Sequence, residues 1–311
     1  MRPFAIAGVQ MPVARQGVGI DELGEELDEI VQAFPWIEMV VFSELAVLGT
    51  TRRGAITLPG PEEDALREQA RRHGLWLVPG TVYERVGTRI YNTAIVIDPN
   101  GEVVGRYRKM FPFQPYEPGV EPGDRPFAFD VPQVGRFGLS ICYDLWFPET
   151  VRWLVVESGV EVIIHPTLTD TIDRDVELAI VRAAAACNQC YVIDVNGLGA
   201  GGNGRSAFVG PAGDVLHLAG VGPETIPIEI DVDRVTRGRE VGLRGLGQPL
   251  KSYRDRKFDF PIYQPGWRSP FLDALGPLSM PRRGSRIGIW GRDAELEGGP
   301  QPASDEEESG S

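Results

Sequence analysis

Short runs of β-branched and apolar residues recur along this chain between stretches of helical periodicity, and that alternation limits the possible folds more than any other feature. FAIAGVQ at 4–10, MVVFSE at 39–44, LWLVPGTVYE at 75–84 and TAIVID at 93–98 predict strands. So do FGLSIC at 137–142, VEVIIH at 160–165, CYVIDVN at 190–196, SAFVG at 206–210 and TIPIEIDV at 225–232. Helical patterns occupy 21–33, 61–73, 148–158 and 174–188. The second opens with Pro61 followed by Glu62, Glu63 and Asp64. Proline pre-sets the first helical φ there, and the carboxylates face the positive end of the helix dipole. Turn signals at Pro99-Asn100-Gly101 and Pro211-Ala212-Gly213-Asp214 separate adjacent strands, so sheet connections are partly antiparallel. The expectation is an α/β layered fold with mixed sheets.

The chain has 311 residues, enough for one large core with appendages. From about residue 261 the composition shifts to Pro, Gly, Arg and Trp, which predicts an arm over 261–292 that wraps a surface or reaches another subunit. The stretch 293–311 is polar and acidic and predicts a disordered tail. A net charge of -13 argues against a nucleic-acid partner, because phosphate binding needs clustered Lys and Arg. The N-terminal apolar run is too broken for a signal peptide, and no stretch approaches the roughly 20 apolar residues that span a bilayer. The expectation is a cytoplasmic protein with no membrane partner. Three cysteines do not make a disulfide framework, so reduced thiols are expected.

Reactive groups stand at predicted strand ends, where open α/β sheets place their chemistry. Cys142 ends the strand in FGLSICYDLWFPE and precedes a turn and a Pro-started helix. Taken alone it is most simply a small buried hydrophobe. Glu44 ends MVVFSE, and the nonpolar segment after it leaves it poorly solvated, although a lone Glu there is usually a solvated rim residue. In GRYRKMFPFQPYEPG, Lys109 follows a β-like segment and Glu117 lies among aromatics and prolines. The simpler reading is a basic surface hairpin; the alternative is a rigid loop lining a pocket. Together the three segments outweigh their separate simpler readings.

In this order, FSELAVLG, YRKMFPFQPYEPG and ICYDLWFPE resemble the three catalytic segments of the nitrilase superfamily. AIAGVQM, YNTAIVIDPNGEVVGRYRK and NGRSAFVGPAGDVL also look like family elements, so the resemblance covers about residues 3–258. It implies a four-layer α-β-β-α sandwich formed by a carbon–nitrogen hydrolase domain over 1–260. It also implies a homodimer or larger homo-oligomer. By this resemblance Glu44, Lys109 and Cys142 take the Glu–Lys–Cys roles, and Glu117 matches a further Glu that the amidases place near the substrate. The eight-residue step from Lys109 to Glu117 resembles aliphatic amidases and formamidases, and Tyr143 follows the Cys where true nitrilases usually carry Trp.

An amide requires a thiolate attack, a stabilised oxyanion and a protonated leaving amine. The expectation is that Glu44 carries the proton while Lys109 and the backbone N–H of Tyr143 hold the oxyanion. Glu117 would position substrate or Lys109. Phe111, Phe113, Tyr116 and Trp146 either shape an apolar pocket or pack as core. His165 either lines the pocket or is a satisfied structural histidine. Cys187 and Cys190 in C-N-Q-C are expected to be buried and structural, since no second CxxC completes a zinc site. The Gly-rich LGAGGNGRS at 198–206 connects two strands and opens no helix, so it is not a dinucleotide fingerprint. No metal or organic cofactor is expected. The expected partner is a small carboxamide. The alternatives are an N-carbamoyl compound, a nitrile, or a catalytically inactive binding or assembly module.

Overall fold

The computed structural model describes residues 2–280. The described residues form two compact units: the chain up to Phe113 with Gly119–Lys257, and Gln114–Pro118 with 258–280.

The first unit is built on two mixed sheets. One contains β1 (Phe4–Gln10), β2 (Met39–Phe42), β3 (Trp76–Val78), β4 (Thr81–Val86), β5 (Arg89–Ile97) and β6 (Val103–Arg108). The other contains β7 (Ala128–Val131), β8 (Gly135–Leu139), β9 (Val162–Thr167), β10 (Tyr191–Asn196), β11 (Ala207–Val209) and β12 (Val215–Leu218). The last strand, β13 (Glu224–Ile230), returns to the first sheet beside β1. Strand order is β13-β1-β2-β3-β5-β4, with β6 on β5, in the first sheet and β12-β11-β10-β9-β8-β7 in the second. Parallel pairing holds the centres, β1 with β2 and β2 with β3, and β8 with β9 and β9 with β10.

Alternation along each strand sorts side chains between two cores. Phe4 and Ile6 of β1 face Phe137, Ile164 and Phe208 in the core between the sheets, whereas Ala5, Ala7 and Val9 face outward. That outer face packs on α1 (Ile20–Ala33) and α2 (Pro61–His73), through Leu23, Leu27, Ile30, Leu66 and Ala70. The second sheet's outer face packs on α3 (Pro148–Ser158) and α4 (Asp173–Asn188). The layers therefore run α-β-β-α. Helix ends follow their local chemistry: α2 starts at Pro61 and stops at Gly74, whose φ of 65° closes the last turn.

The hairpin signals mark real hairpins. Asp98–Glu102 joins β5 to β6, and 210–214 joins β11 to β12. The Gly-rich stretch forms Leu198–Gly199, which pairs with Gly202–Asn203 on one side and Pro12–Val13 on the other in a small ribbon. Among the elements that carried no clear pattern in the sequence are α5 (Asp233–Val241), with only Val235 buried, the edge strand β7 and a short helix at Pro249–Arg254. Among the described residues no helix is long and apolar enough to cross a membrane.

Beyond Lys257 the second unit has a short turn at Pro261–Tyr263 and a single helical turn at Pro270–Asp273, capped by the Ser269 hydroxyl. Its large apolar side chains Phe258, Ile262, Trp267, Phe271, Leu272 and Leu278 are exposed. The distal part of the 261–292 arm, including Trp290, and the whole 293–311 tail lie outside the described residues.

Candidate active site

Glu44 stands just past the carboxyl end of β2, and its position is set by backbone packing around it. Gly80 has φ 78°, and a Cβ there would come within 1.9 Å of the Ser43 carbonyl oxygen, so only glycine lets the two segments meet. Leu45 follows with φ 55°, its N–H donating to the Thr81 hydroxyl at 3.0 Å. The Glu44 N–H donates to the Thr167 carbonyl at the end of β9 in the facing sheet.

Lys109 follows β6, and its backbone N–H donates to the Asn92 carbonyl on β5. Its Nζ donates to Glu44 Oε1 at 2.9 Å, and the Asn92 amide donates to the same oxygen at 2.7 Å. Both ions are buried, Lys109 at 1% and Glu44 at 3% exposure. A buried ion pair supplemented by a side-chain amide meets the condition under which such charges are tolerated.

Cys142 sits on the turn between β8 and α3 with φ 46°, a left-handed conformation that costs a non-glycine residue about 1 kcal/mol or more. The turn that holds it there is organised by Asp144, which is fully buried. Its carboxylate accepts from the Ile141 N–H at 3.0 Å, the Phe111 N–H at 2.8 Å and the Tyr107 hydroxyl at 2.7 Å. One side chain thus ties the cysteine turn to both flanks of Lys109. Burial raises the Asp144 carboxyl to about 6, against the three hydrogen bonds that favour its ionised form. Burial also pushes the Cys142 thiol well up; Glu44 and Glu177 add to the rise, and Lys109 and Thr167 oppose it. The resting sulfur is therefore a neutral thiol that needs a base, with Glu44 and Lys109 both acting on it electrostatically.

A cleft of about 190 Å³ opens over Cys142, lined by Phe113, Tyr143, Trp146, Thr169, Asp170 and Glu177 among others. Tyr143 packs edge-on against Phe113 at 4.9 Å and tilts toward Trp146 at 6.0 Å. The Thr169 hydroxyl lies 3.9 Å from the sulfur and 3.0 Å from Glu177 Oε1, which also accepts from Trp146 Nε1 at 3.2 Å. Behind Glu177, the fully buried Arg174 donates to it and to Asp194 of β10.

Of the residues singled out in the sequence, Glu44, Lys109 and Cys142 converge, and Phe113, Tyr143 and Trp146 line the cleft beside the sulfur. Glu117 and Tyr116 fall in the second unit, where Glu117 accepts from the Gln114 side chain through its carbonyl at 2.8 Å. Phe111 stacks on Phe147 at 3.6 Å and is not among the cleft residues. His165 is buried beneath the site with Nδ1 on Ser140, Nε2 3.7 Å from Asp194, and no share in the cleft. Burial lowers it to about 4, so it is neutral. Cys190 is buried as expected, but Cys187 is exposed: Val181, Ala185 and Asn188 form the inner stripe of α4, and Cys187 falls on the outer side. Among the described residues no His, Cys, Asp and Glu cluster is arranged to hold a metal ion. Not singled out from the sequence were Asn92, Asp144, Arg174, Glu177 and Asp194, all buried polar groups. Asp144 alone carried a local signal, lying between the candidate cysteine and the helix-starting proline.

A family model described as carbon-nitrogen hydrolase matches residues 5–240. A formamidase from Bacillus thuringiensis (strain Al Hakam) is 30% identical over 205 residues, which is 62% of this chain and 61% of that relative's length. Among solved structures, Saccharomyces cerevisiae Nit3, a member of branch 10 of the nitrilase superfamily, is similar with a TM-score of 0.70 and 24% identity. That match covers 77% of this chain and 94% of Nit3. A cysteine-to-alanine mutant of the amidase from Nesterenkonia sp. AN1 in complex with butyramide is similar with a TM-score of 0.67 and 23% identity, covering 76% of this chain and 94% of that one.

Proposed function

From the premise that this chain belongs to the carbon–nitrogen hydrolase family, we propose that it hydrolyses a small carboxamide to a carboxylic acid and ammonia through a thioester on Cys142. The observation that carries this reading is the buried Lys109–Glu44 pair, 2.9 Å apart, acting on a thiol held at a strained strand-end turn. A thiol pushed up by burial attacks a carbonyl only if its proton is taken as the bond forms, and Glu44 is the base beside it. The S–H proton passes to Glu44 while sulfur bonds to the carbonyl carbon. Lys109 and the Tyr143 N–H hold the oxyanion in a site where low dielectric strengthens both contacts. Collapse breaks the C–N bond as Glu44 returns the proton to the leaving nitrogen, releasing ammonia.

Glu44 then takes a proton from water, whose oxygen attacks the thioester. As the C–S bond breaks, the proton goes back to sulfur and the acid departs. Every step runs on protein groups. The similar formamidase and the amidase solved with butyramide support a small acyl group, and a cleft of about 190 Å³ has room for more than formamide. The exposed apolar side chains on the arm support a homo-oligomer, for which sedimentation above the mass of one chain is the check.

The test is ammonia release from matched amide, N-carbamoyl and nitrile panels with the wild type and Cys142→Ala. Release from amides that vanishes in the variant supports the proposal. Preference for carbamoyl compounds or nitriles, or release that survives in Cys142→Ala, overturns it.

A further inference from the structure

The cleft over Cys142 has an uneven charge balance. Glu44 and Lys109 cancel. Glu177 on the cleft wall and Asp194 behind it, both buried, share the cation Arg174. His165, beside Asp194, is neutral and adds no positive charge. Burial raises the Glu177 carboxyl above its ordinary range; with Glu177 ionised the group carries one carboxylate more than its cations offset, an excess that something positive approaching would relieve. The partners of Glu177 fit an ionised carboxylate, since Trp146 Nε1 and the Arg174 guanidinium can only donate to it. Among the cleft's lining residues there is no Lys, Arg or His, while Asp170 adds a further negative charge at the exposed lip. Asp173 also lines the cleft but belongs to the first turn of α4, where its charge offsets the helix dipole.

The remaining wall is aromatic. Phe113, Tyr143 and Trp146 stand across the same small space, and ring faces beside a carboxylate are the surroundings that favour an ammonium or guanidinium group. Glu177 is one hydroxyl, that of Thr169, away from the sulfur. A cation there would sit a few methylenes from a carbonyl bonded to Cys142. Because Glu177 raises the cost of a thiolate at Cys142, a cation beside Glu177 would also make sulfur easier to ionise in the complex.

We infer that Glu177 sets the substrate class: the cleft selects amides whose acyl chain carries a positive charge, an ammonium or guanidinium seated between Glu177 and the ring of Trp146. The inference rests on the amidase reading of Cys142 and deepens it.

The experiment compares kcat/KM for γ-aminobutyramide and for valeramide, which replaces the ammonium by a methyl group, in the wild type, Glu177→Gln and Asp170→Asn. The wild type is expected to favour the cationic amide roughly ten- to hundredfold, the range for one charge pair after desolvation. In Glu177→Gln the ratio should collapse toward unity. Asp170→Asn is an exposed change that leaves the buried network intact, and it should lower the ratio about twofold, as suits a screened lip charge. A second readout does not depend on turnover. The rates at which iodoacetate, iodoacetamide and bromoethylammonium alkylate Cys142, each divided by its rate with mercaptoethanol, should rise in that order and level out in Glu177→Gln. Charge-selective alkylation without hydrolysis of any amide would sustain this inference and overturn the amidase reading. A wild-type ratio near or below unity, or normalised alkylation indifferent to reagent charge, overturns the inference.

Discussion

Replacing Lys109 by Met should strand Glu44 as a buried carboxylate without its cation. The Nζ–Oε1 contact is 2.9 Å and the two residues are at most 3% exposed, so solvent cannot stand in for the lost charge. Breaking one side of a buried pair typically costs about 3–5 kcal/mol. The Asn92 amide still donates to Glu44 at 2.7 Å, and a hydrogen bond to a charged group offsets part of that loss, which places the variant near 3 kcal/mol, or about 1 M lower in urea midpoint. The double variant Glu44→Gln/Lys109→Met removes both charges and keeps an acceptor for Asn92, so it should recover about 2 kcal/mol of that loss while remaining inactive. Equilibrium urea unfolding of the four proteins reads the cycle. If Lys109→Met stays within about 0.5 kcal/mol of wild type, or the double variant loses the sum of the single losses, the two groups do not form the buried pair on which the mechanism depends.

Gly80→Ala puts a Cβ 1.9 Å from the Ser43 oxygen at φ 78°, so it should cost more than about 2 kcal/mol and lower kcat by displacing Glu44; thermal unfolding and turnover in the same preparation check it. Because burial keeps Cys142 protonated, its alkylation by iodoacetamide should depend on Glu44. Peptide mapping should show Glu44→Gln slowing labelling of Cys142 by about tenfold or more, while the exposed Cys187 is unaffected. His165 is lowered from 6.5 to about 4, so the unfolded chain takes up its proton first as the pH falls, and folding stability is lost between those two values. Wild type should lose about 2 kcal/mol more than His165→Gln between about pH 7 and pH 5 in urea titrations, and equal losses would remove His165 from the account.

The parts of this molecule legible in its sequence are those where periodicity and punctuation agree. The predicted helix at 61–73 is α2 residue for residue because Pro61 and Gly74 bound it and its charges suit the dipole at each end. The central strands show as nearly continuous apolar runs because both faces of each sheet are covered. Helix α5 left no such signal, since only Val235 is buried along it. Glu44, Cys142 and Lys109 stood out because strand ends expose reactive groups and because their segments resemble a family pattern. The second wall of the site did not stand out. Arg174 and Glu177 look like the solvated face of a charged helix until β10 brings Asp194 against them, and Asn92 looks like a polar interruption in a strand until Glu44 meets it. The Arg174–Asp194 and Asn92–Glu44 contacts join segments distant in the chain, and no local pattern records them.

The most direct measurement is mass spectrometry of the enzyme quenched during turnover of a slowly hydrolysed amide. An acyl adduct is expected on the peptide containing Cys142, removed by hydroxylamine and absent from Cys142→Ala. Amide hydrolysis that continues in Cys142→Ala, or an acyl group found on any other residue, would contradict it.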